Sequence, residues 1–273
     1  MMQLNKHSPP LAVARTIVDL VVDGVAVAAV APQTDVATSV VMAGGVMKNQ
    51  TIVAKNNNNG VADNITHLCL SYSDMSIYFS RPSLLDLVTT LRHRPNDSLT
   101  VVANINFYGN YIDFGFPSQR ILSTPNAGGG GVTSLMSEAV SAEVIDRLVG
   151  ISKVLTEMEI QYSTKGPITD YVCYSSSISQ ALGVSVTRAM AFGRRFTAKD
   201  AMRLMKKKIS GINKSTLTVS NYKFQRQILH VWAENGTDAA IVRRACAKIP
   251  DTIRKNTIIL ITTINMDSVF ASG

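Results

Sequence analysis

The spacing of hydrophobic and polar residues changes near the middle of this chain. Between residues 34 and 116, short β-branched runs alternate with turn residues, a pattern typical of strands. The strands that it predicts cover residues 38–42, 51–55, 65–71, 76–79, 99–106 and 111–116. One helix is predicted within this region, at residues 83–91, because Leu84, Leu87 and Leu91 recur at helical spacing.

After residue 132 the hydrophobic residues recur every three or four positions, which predicts helices. The longest predicted helix runs from residue 134 to about residue 160. Further helices are predicted from residue 168 or 175 to 192, from 197 to 211, from 220 to 234 and from 237 to 249. A helix is also expected from residue 11 to Gly24, and the β-branched run at 258–264 predicts a strand.

These patterns predict an α+β fold with a strand-rich N-terminal half, a mostly helical and basic C-terminal half, and flexible terminal arms. Residues 1–10 are polar, end in two prolines and form the N-terminal arm. Residues 11–120 form a mixed α/β, strand-rich lobe, and residues 134–256 form a helical basic lobe. Residues 121–133, with four consecutive glycines, are the joint between them, and residues 257–273 are a C-terminal extension.

Charge is divided unevenly between the two halves. The chain of 273 residues has a formal net charge of +8. Residues 188–255 contain 16 Lys and Arg against 4 Asp and Glu, whereas residues 1–187 contain 11 Lys and Arg against 14 Asp and Glu. A segregated basic half is the electrostatic footprint of a phosphate-binding protein, and a merely solvated basic surface is the alternative interpretation.

The most basic stretch, residues 188–214, contains a helix with two different faces. Thr197 and Asp200 form a capping box that predicts where this helix begins. The apolar residues that follow share one face, and the cationic residues fall on the opposite face. Lys208 lies among the apolar positions, so its side chain must extend toward solvent or the helix must end early. Gly211 is predicted to end the helix.

Binding of single-stranded nucleic acid needs cations for successive phosphates and planar groups on which bases stack. Phe192 and Phe196 lie among the cations of the basic stretch. Phe196, Tyr222, Phe224 and Trp232 are each expected to pack in the core rather than to stack on bases, and Tyr222 is the best candidate among them for an exposed ring. The predicted RNA-binding residues are Arg188, Arg194, Arg195, Lys199, Arg203, Lys206, Lys207, Lys214, Tyr222, Lys223, Arg226, Arg243 and Arg244.

The sequence contains no persuasive catalytic constellation, so the chain is predicted not to be an enzyme and to need no cofactor. The four histidines lack metal-ligand spacing, and no metal site is expected. Cys69, Cys173 and Cys246 are far apart, which argues against a zinc site or a disulfide framework and fits a reducing compartment. The acidic residues of the long helix, at 138, 143, 146, 157 and 159, are expected to form its solvated face.

Two alternatives to RNA binding remain open. The glycine run at residues 128–131 precedes a helix and could cradle a phosphate, which would favour an enzyme acting on nucleic acid or on a phosphorylated substrate. A linker is the simpler interpretation, because bare glycine runs are weak signals. The basic half could also be a scaffolding or interaction module that meets an acidic protein or membrane surface. Insertion into a membrane is not expected, because charged residues interrupt the apolar run at residues 11–31.

The order of these features resembles that of nucleocapsid or coat proteins of RNA viruses with helical nucleocapsids. The features are the N-terminal arm, the glycine-rich joint, the basic half and the apolar run at residues 258–264. The resemblance implies packaging of single-stranded genomic RNA without base readout, by subunits that self-assemble into a homo-oligomer or helical polymer. It also implies a location in the virion and the host cytoplasm, and a non-viral protein of this kind would be cytoplasmic. The run at 258–264 is expected to be an edge strand that pairs with the next subunit.

Overall fold

A computed structural model describes residues 16–22, 25–31, 36–41, 51–56, 65–109, 112–125, 131–175, 178, 180–224 and 226–270 of the chain. Side chains are described from residue 67 onward. The predicted N-terminal arm and three glycines of the run, residues 128–130, lie outside the described residues.

Strands occur on both sides of the predicted joint. They are β1 (Thr16–Val22), β2 (Val25–Ala31), β3 (Val36–Val41), β4 (Thr51–Asn56), β5 (Ile65–Ser71), β6 (Met75–Ser80), β7 (Leu99–Phe107), β8 (Ile151–Thr156), β9 (Tyr171–Ser175), β10 (Leu182–Ala189), β11 (Arg226–Ala233) and β12 (Ile258–Ile264). The helices are α1 (Arg81–His93), α2 (Phe116–Leu122), α3 (Val132–Val149), α4 (Ala198–Thr218), α5 (Gly236–Ala247), α6 (Asp251–Arg254) and α7 (Asp267–Phe270). A 3₁₀ turn, Glu157–Glu159, follows β8.

All the described strands belong to one mixed sheet, in the order β1-β2-β3-β4-β5-β6-β7-β12-β11-β10-β9-β8. The strands from β5 to β12 form its eight-stranded part, and β1 to β4 continue it with antiparallel pairing. The four central strands, β7, β12, β11 and β10, run parallel. Parallel neighbours need crossover connections, which α4 supplies between β10 and β11 and α5 with α6 supplies between β11 and β12.

The predicted fold class is therefore wrong, because β8 to β12 all lie in the half that was expected to be mostly helical. The segments at 168–192 and 220–234 were predicted as helices, yet they contain β9, β10 and β11. Every residue of β11 is buried, since helices cover both faces of the sheet. Strands covered on both faces are continuously apolar, so they lack the two-residue alternation that identifies a strand.

The ends of the two long helices also differ from the predictions. The helix expected to reach residue 160 ends at Gly150, whose φ of +66° terminates it, and β8 follows. The helix expected to end at Gly211 continues as α4 to Thr218. The first helix expected from residue 11 is wrong as well, because β1 begins at Thr16. The predicted strand at 111–116 is replaced, after residue 111, by a loop and α2.

Helices cover both faces of the sheet, and each face has its own apolar core. α1, α2, α3 and α7 pack on one face, where they share a large cluster with side chains of β6, β7, β10 and β12. α4 and α5 pack side by side on the other face, against β11 and β12. A smaller third cluster lies on the α4 face near the sheet edge, where Leu155 and Val172 meet Val219 and Phe224.

The C-terminal run at 258–264 forms β12, which lies at the centre of the sheet. It pairs with β7 on one side and β11 on the other, and nearly all of it is buried. The expectation of an edge strand that pairs with another subunit is therefore wrong for this segment. The described part of the C-terminal extension is not a loose arm either, because Val269 and Phe270 pack into the core beneath α3. One sheet joins strands from both predicted lobes.

Candidate nucleic-acid interface

α4 begins where the capping box predicts. Thr197 Oγ1 accepts a hydrogen bond from the Asp200 backbone N–H at 3.3 Å, and the Asp200 carboxylate accepts one from the Thr197 N–H at 3.1 Å. Arg194 donates two hydrogen bonds to the same carboxylate, at 2.6 and 2.8 Å, and Arg203 donates another at 3.3 Å. The hydrogen bonds from Arg194 and Thr197 hold the pKa of Asp200 well below its usual range. This acid therefore stays ionised and stabilises the first turn.

The two faces of α4 have different environments. Ala201, Met205 and Ile209 are completely buried against the sheet and α5. The opposite face is exposed and cationic. Its exposed cations are Lys199, Arg203, Lys206, Lys207 and Lys214. Since the helix has 21 residues, this cationic stripe extends over about 30 Å.

α5 continues the positive surface beside α4. Arg243 and Arg244 are exposed, and Arg244 Nε donates a hydrogen bond to the Ala240 carbonyl in its own helix at 3.2 Å. We call the exposed cations of α4 and α5 together the basic face. Among the described residues, Lys199, Lys206, Lys207 and Arg243 form no ion pair with an acid. Their charge is therefore available to an external anion.

Two of the predicted RNA-binding residues lie elsewhere. Arg226 is completely buried, where its guanidinium donates hydrogen bonds to the carbonyls of Arg94 at 2.7 Å and Asp97 at 2.8 Å. Arg188 is half-buried on the α3 side of the sheet and donates to the Val269 carbonyl at 3.3 Å. Both arginines hold the fold together, and neither lies on the basic face. Arg195 and Lys223 are exposed in the loops before and after α4.

The aromatic residues near the basic face are mostly buried. Phe196, Phe224 and Trp232 pack in the core, as expected, and Tyr222 is exposed. Phe192 was not among the predicted RNA-binding residues, yet it is 83% exposed in the loop before α4. The signal that could have identified Phe192 from sequence was its position next to the two arginines at 194 and 195, because aromatic residues among cations are typical of nucleic-acid interfaces.

A second polar group of residues lies where β9 begins. β9 pairs with Leu182 to Val184 of β10 and does not reach Val186. Side chains instead form the hydrogen bonds of the Val186 backbone on the β9 side of β10. Its N–H donates to Asp170 Oδ2 at 2.5 Å, and its carbonyl accepts from Lys208 Nζ at 3.1 Å. Lys208, which was expected among the apolar positions of α4, is thus half-buried and donates to a backbone carbonyl of β10, and its charge acts on the Asp170 carboxylate.

Glu138 and Glu157 complete this group, which we call the Asp170 cluster. Glu138 comes from α3 and is 5% exposed, so it is buried rather than part of a solvated helix face as predicted. Burial, with the nearby charges of Asp170 and Glu157, raises the pKa of Glu138 to about 8. Burial also raises the pKa of Asp170 to about 6, although Lys208 opposes that rise. One buried carboxyl group therefore holds a proton at neutral pH beside an ionised one.

A buried serine and histidine also meet, but inside the core. Ser141 Oγ lies 2.8 Å from His230 Nδ1 and 2.9 Å from the Tyr171 hydroxyl, and His230 Nε2 lies 3.0 Å from Thr262 Oγ1. All four side chains are completely buried. Burial lowers the pKa of His230 to about 3, so the ring is neutral. No substrate can reach this serine in the folded chain, and the network has a structural role.

Neither a metal centre nor a membrane span is found in the part of the chain that the structure describes. No group of three or more His, Cys, Asp or Glu side chains there could hold a metal ion. No described helix is long and apolar enough to cross a bilayer. The three cysteines are buried and free, and free cysteines in the core pack as small hydrophobic residues.

Comparison with known proteins identifies one curated relative. A stretch of 152 residues is 38% identical to the "AAC-rich mRNA clone AAC4 protein" of Dictyostelium discoideum. The match covers 52% of this chain and 21% of that protein, so the chain spans about a fifth of the relative's length. No protein-family model matches the chain, and no solved structure does. The resemblance to viral nucleocapsid proteins is not tested by these comparisons and stays a prediction.

Proposed function

We propose that this protein binds the phosphate backbone of nucleic acid through the basic face, without reading base sequence. The observation that supports the proposal is the row of exposed cations along α4, most of which have no acidic partner among the described residues, continued by the arginines of α5. Such a row can neutralise successive phosphates and release their counterions. Single-stranded RNA is the partner that the resemblance to nucleocapsid proteins implies, and packaging of that RNA by self-assembly stays a prediction with it.

A salt titration tests this proposal. Wild type is compared with Lys206→Gln/Lys207→Gln by fluorescence anisotropy, using a labelled 20-nucleotide single-stranded RNA between 50 and 300 mM salt. The matched control is Arg81→Gln/Arg94→Gln, which removes the same charge from the two ends of α1 on the opposite face of the sheet. The α4 variant should reduce the slope of log affinity against log salt by about 1.4, since each phosphate contact contributes about 0.7 for a single strand.

Two outcomes would contradict the proposal. One is a wild-type affinity that does not depend on salt. The other is an equal loss of slope in the α4 variant and in the α1 control, which would show that net charge alone is responsible. Stronger binding to vesicles of anionic lipid than to RNA, weakened by the same α4 variant, would favour the scaffolding alternative instead.

A second candidate function, an enzyme that acts on nucleic acid, is favoured by the Asp170 cluster. Its carboxyl groups come from α3, from the 3₁₀ turn after β8 and from the residue before β9, and Lys208 comes from α4, the helix that also carries the basic face. Paired carboxyl groups in different protonation states can act as general acid and general base, and strongly perturbed groups beside a charged partner are typical of functional sites. This location replaces the glycine run, most of which lies outside the described residues, as the place to look for such an activity.

The enzyme candidate is tested by cleavage of end-labelled RNA and DNA, single-stranded and duplex, with and without Mg²⁺. Wild type is compared with Glu138→Gln and Asp170→Asn, which keep the shapes of the side chains. Asp86→Asn is the control, because Asp86 is an exposed acid on α1. We expect cleavage by wild type and by the control, and at least a hundredfold loss in either cluster variant. Cleavage by none of the proteins, or equally by all of them, would overturn this candidate.

A further inference from the structure

Two exposed aromatic side chains flank α4. Phe192 precedes the helix and is 83% exposed, and Tyr222 follows it and is 43% exposed. Large apolar side chains are usually buried when the core can accommodate them, as Phe196 and Phe224 are here. The cationic stripe of α4 thus has an accessible ring next to each of its ends.

A left-handed turn follows Phe192 in the loop before α4. Gly193 has a φ of +64°, and a Cβ at this position would meet no atom within 4 Å. A larger side chain would therefore have space at this position, and glycine is favoured because the turn requires a left-handed backbone conformation. Arg194 and Arg195 follow directly and are both exposed. The exposed ring is accompanied by cations within three residues.

Tyr222 belongs to a second group that combines rings and cations. Lys153 Nζ lies 5.2 Å from the centre of the Tyr222 ring and 5.6 Å from the centre of the Tyr174 ring, so the ammonium group bridges the two tyrosines. Tyr222 has a φ of +36°, which is uncommon for a residue other than glycine. Lys223 is exposed beside it.

This second group lies on the same face of the sheet as α4. Lys153 pairs with Tyr174 across β8 and β9. Their chain neighbours Val154 and Cys173 point to the core beneath α3, so Lys153 and Tyr174 point to the opposite face because side chains alternate along a strand. Tyr174 accordingly packs against the third cluster, next to Val219 at the end of α4.

We propose that the basic face binds nucleic acid as a single strand, with unpaired bases stacked on Phe192 at one end of α4 and on Tyr222 at the other. This inference rests on the proposed function and names its ligand class. The cations of α4 contact the phosphates over the roughly 30 Å between the two ends. Stacking needs an accessible base face, which a single strand offers and a duplex hides between its base pairs.

The test compares a labelled 20-nucleotide poly(A) RNA with a 20-base-pair duplex at fixed salt. The variants are Phe192→Leu, Tyr222→Leu and the double variant, with Tyr222→Phe as the change that keeps the ring. Phe116→Leu is the matched control, because Phe116 is 53% exposed on α2, on the other face of the sheet. Melting curves establish that each variant is folded, as expected for changes at exposed positions.

Each Leu variant should weaken single-strand binding by about five- to 150-fold, the range found when one stacking ring is removed. Duplex binding and the salt slope should remain as in wild type. Tyr222→Phe should bind within about twofold of wild type, and Phe116→Leu should bind as wild type does.

Failure of this inference can be distinguished from failure of the proposed function. If both Leu variants bind the single strand as wild type does while Lys206→Gln/Lys207→Gln loses salt-dependent binding, the stacking proposal is overturned and phosphate binding stands. If Leu variants lose single-strand and duplex binding equally, the rings do not recognise unpaired bases and the proposal is also overturned. If wild type binds neither probe, both proposals fall together.

Discussion

The two long helices, α3 and α4, lie on opposite faces of one sheet and carry charge in opposite ways. α3 directs its charges inward. Arg147 pairs with Asp74 at 2.5 Å and with Glu143 at 2.9 Å, and all three side chains are largely buried. Glu143 also accepts hydrogen bonds from the Gly115 N–H at 2.7 Å and from Ser118 Oγ at 2.8 Å. α4 directs all its cations except Lys208 outward, where most of them have no acidic partner among the described residues.

This difference separates charges that hold the fold from charges that are available to a partner. A buried charge must have its hydrogen bonds and counter-charge supplied by the protein, because burial otherwise costs several kcal/mol. The α3 network meets that requirement and joins α3 to α2 and to the β5–β6 turn. An exposed cation needs no such compensation, because water solvates it, so it stays available to a partner. Stability should therefore respond to changes in α3, and ligand binding to changes in α4.

The largest expected effect contrasts Arg147→Met with Lys207→Met. The first change leaves Asp74 and Glu143 buried without their cation, and it should lower the free energy of unfolding by about 3–5 kcal/mol. The second alters an exposed side chain and should change stability by less than about 0.5 kcal/mol. Urea unfolding measures both. If Arg147→Met lowered the free energy of unfolding by less than about 1 kcal/mol, the distinction between stabilising charges in α3 and available charges in α4 would not hold.

The next largest effect compares Arg226 and Arg243, both of which were predicted from sequence to bind RNA. Arg226→Met should lower the free energy of unfolding by about 2 kcal/mol, because it removes two hydrogen bonds that a completely buried guanidinium donates to partly buried carbonyls. Its salt slope for RNA should equal that of wild type. Arg243→Met should leave stability unchanged and reduce the slope by about 0.7. If unfolding measurements showed the stability loss in Arg243→Met, and anisotropy measurements showed the reduced salt slope in Arg226→Met, the structure of the basic face would be contradicted.

The pH dependence of stability provides a third test. Glu138 has an ordinary pKa of 4.5 and one of about 8 in the folded chain. Between these values the folded state binds more protons than the unfolded state, so stability falls as pH rises. From pH 5 to 8, wild type should lose stability more steeply than Glu138→Gln, by at most about 1.4 kcal/mol per pH unit. Unfolding midpoints at four pH values measure the difference.

Asp200 on α4 is the control for this pH test. Its pKa is lowered in the folded chain, so its contribution is present above its ordinary pKa of 3.8 and is lost only at lower pH. Asp200→Asn should therefore leave the dependence between pH 5 and 8 as in wild type. Parallel curves for wild type and Glu138→Gln would show that Glu138 is ionised in the folded protein.

The smallest expected effect compares helix caps on the two faces. Asn235 Oδ1 accepts a hydrogen bond from the Asp238 N–H at 3.0 Å at the start of α5, and Asn235→Ala should lower the free energy of unfolding by about 1 kcal/mol. Ser80 caps α1 with a longer bond of 3.4 Å to the Ser83 N–H, so Ser80→Ala should cost less. Neither change should alter the salt slope. A larger loss in Ser80→Ala would contradict these cap geometries.

Much of the candidate site could be predicted from sequence because it depends on local pattern. The capping box of Thr197 and Asp200 and the segregation of apolar and cationic residues along α4 follow from helical geometry alone. Tyr222, the best candidate for an exposed ring among the nearby aromatic residues, is exposed. The Asp170 cluster could not be predicted, since its members are up to 70 residues apart in the chain and meet only through the sheet. The burial of α3 had one local signal, the small residues Ser137, Ala139 and Ala142 around its circumference.

The sequence by itself determined the elements whose pattern reports one exposed and one buried face: β5 to β7, α1, α4 and α5. Only the tertiary structure decided the form of the segments that became β9, β10 and β11, because a segment buried on both faces has no polar side to set its period. It also decided the role of each charge. Arg226 and Arg243 are the same residue type in the same basic half, and the sheet buries one and leaves the other exposed.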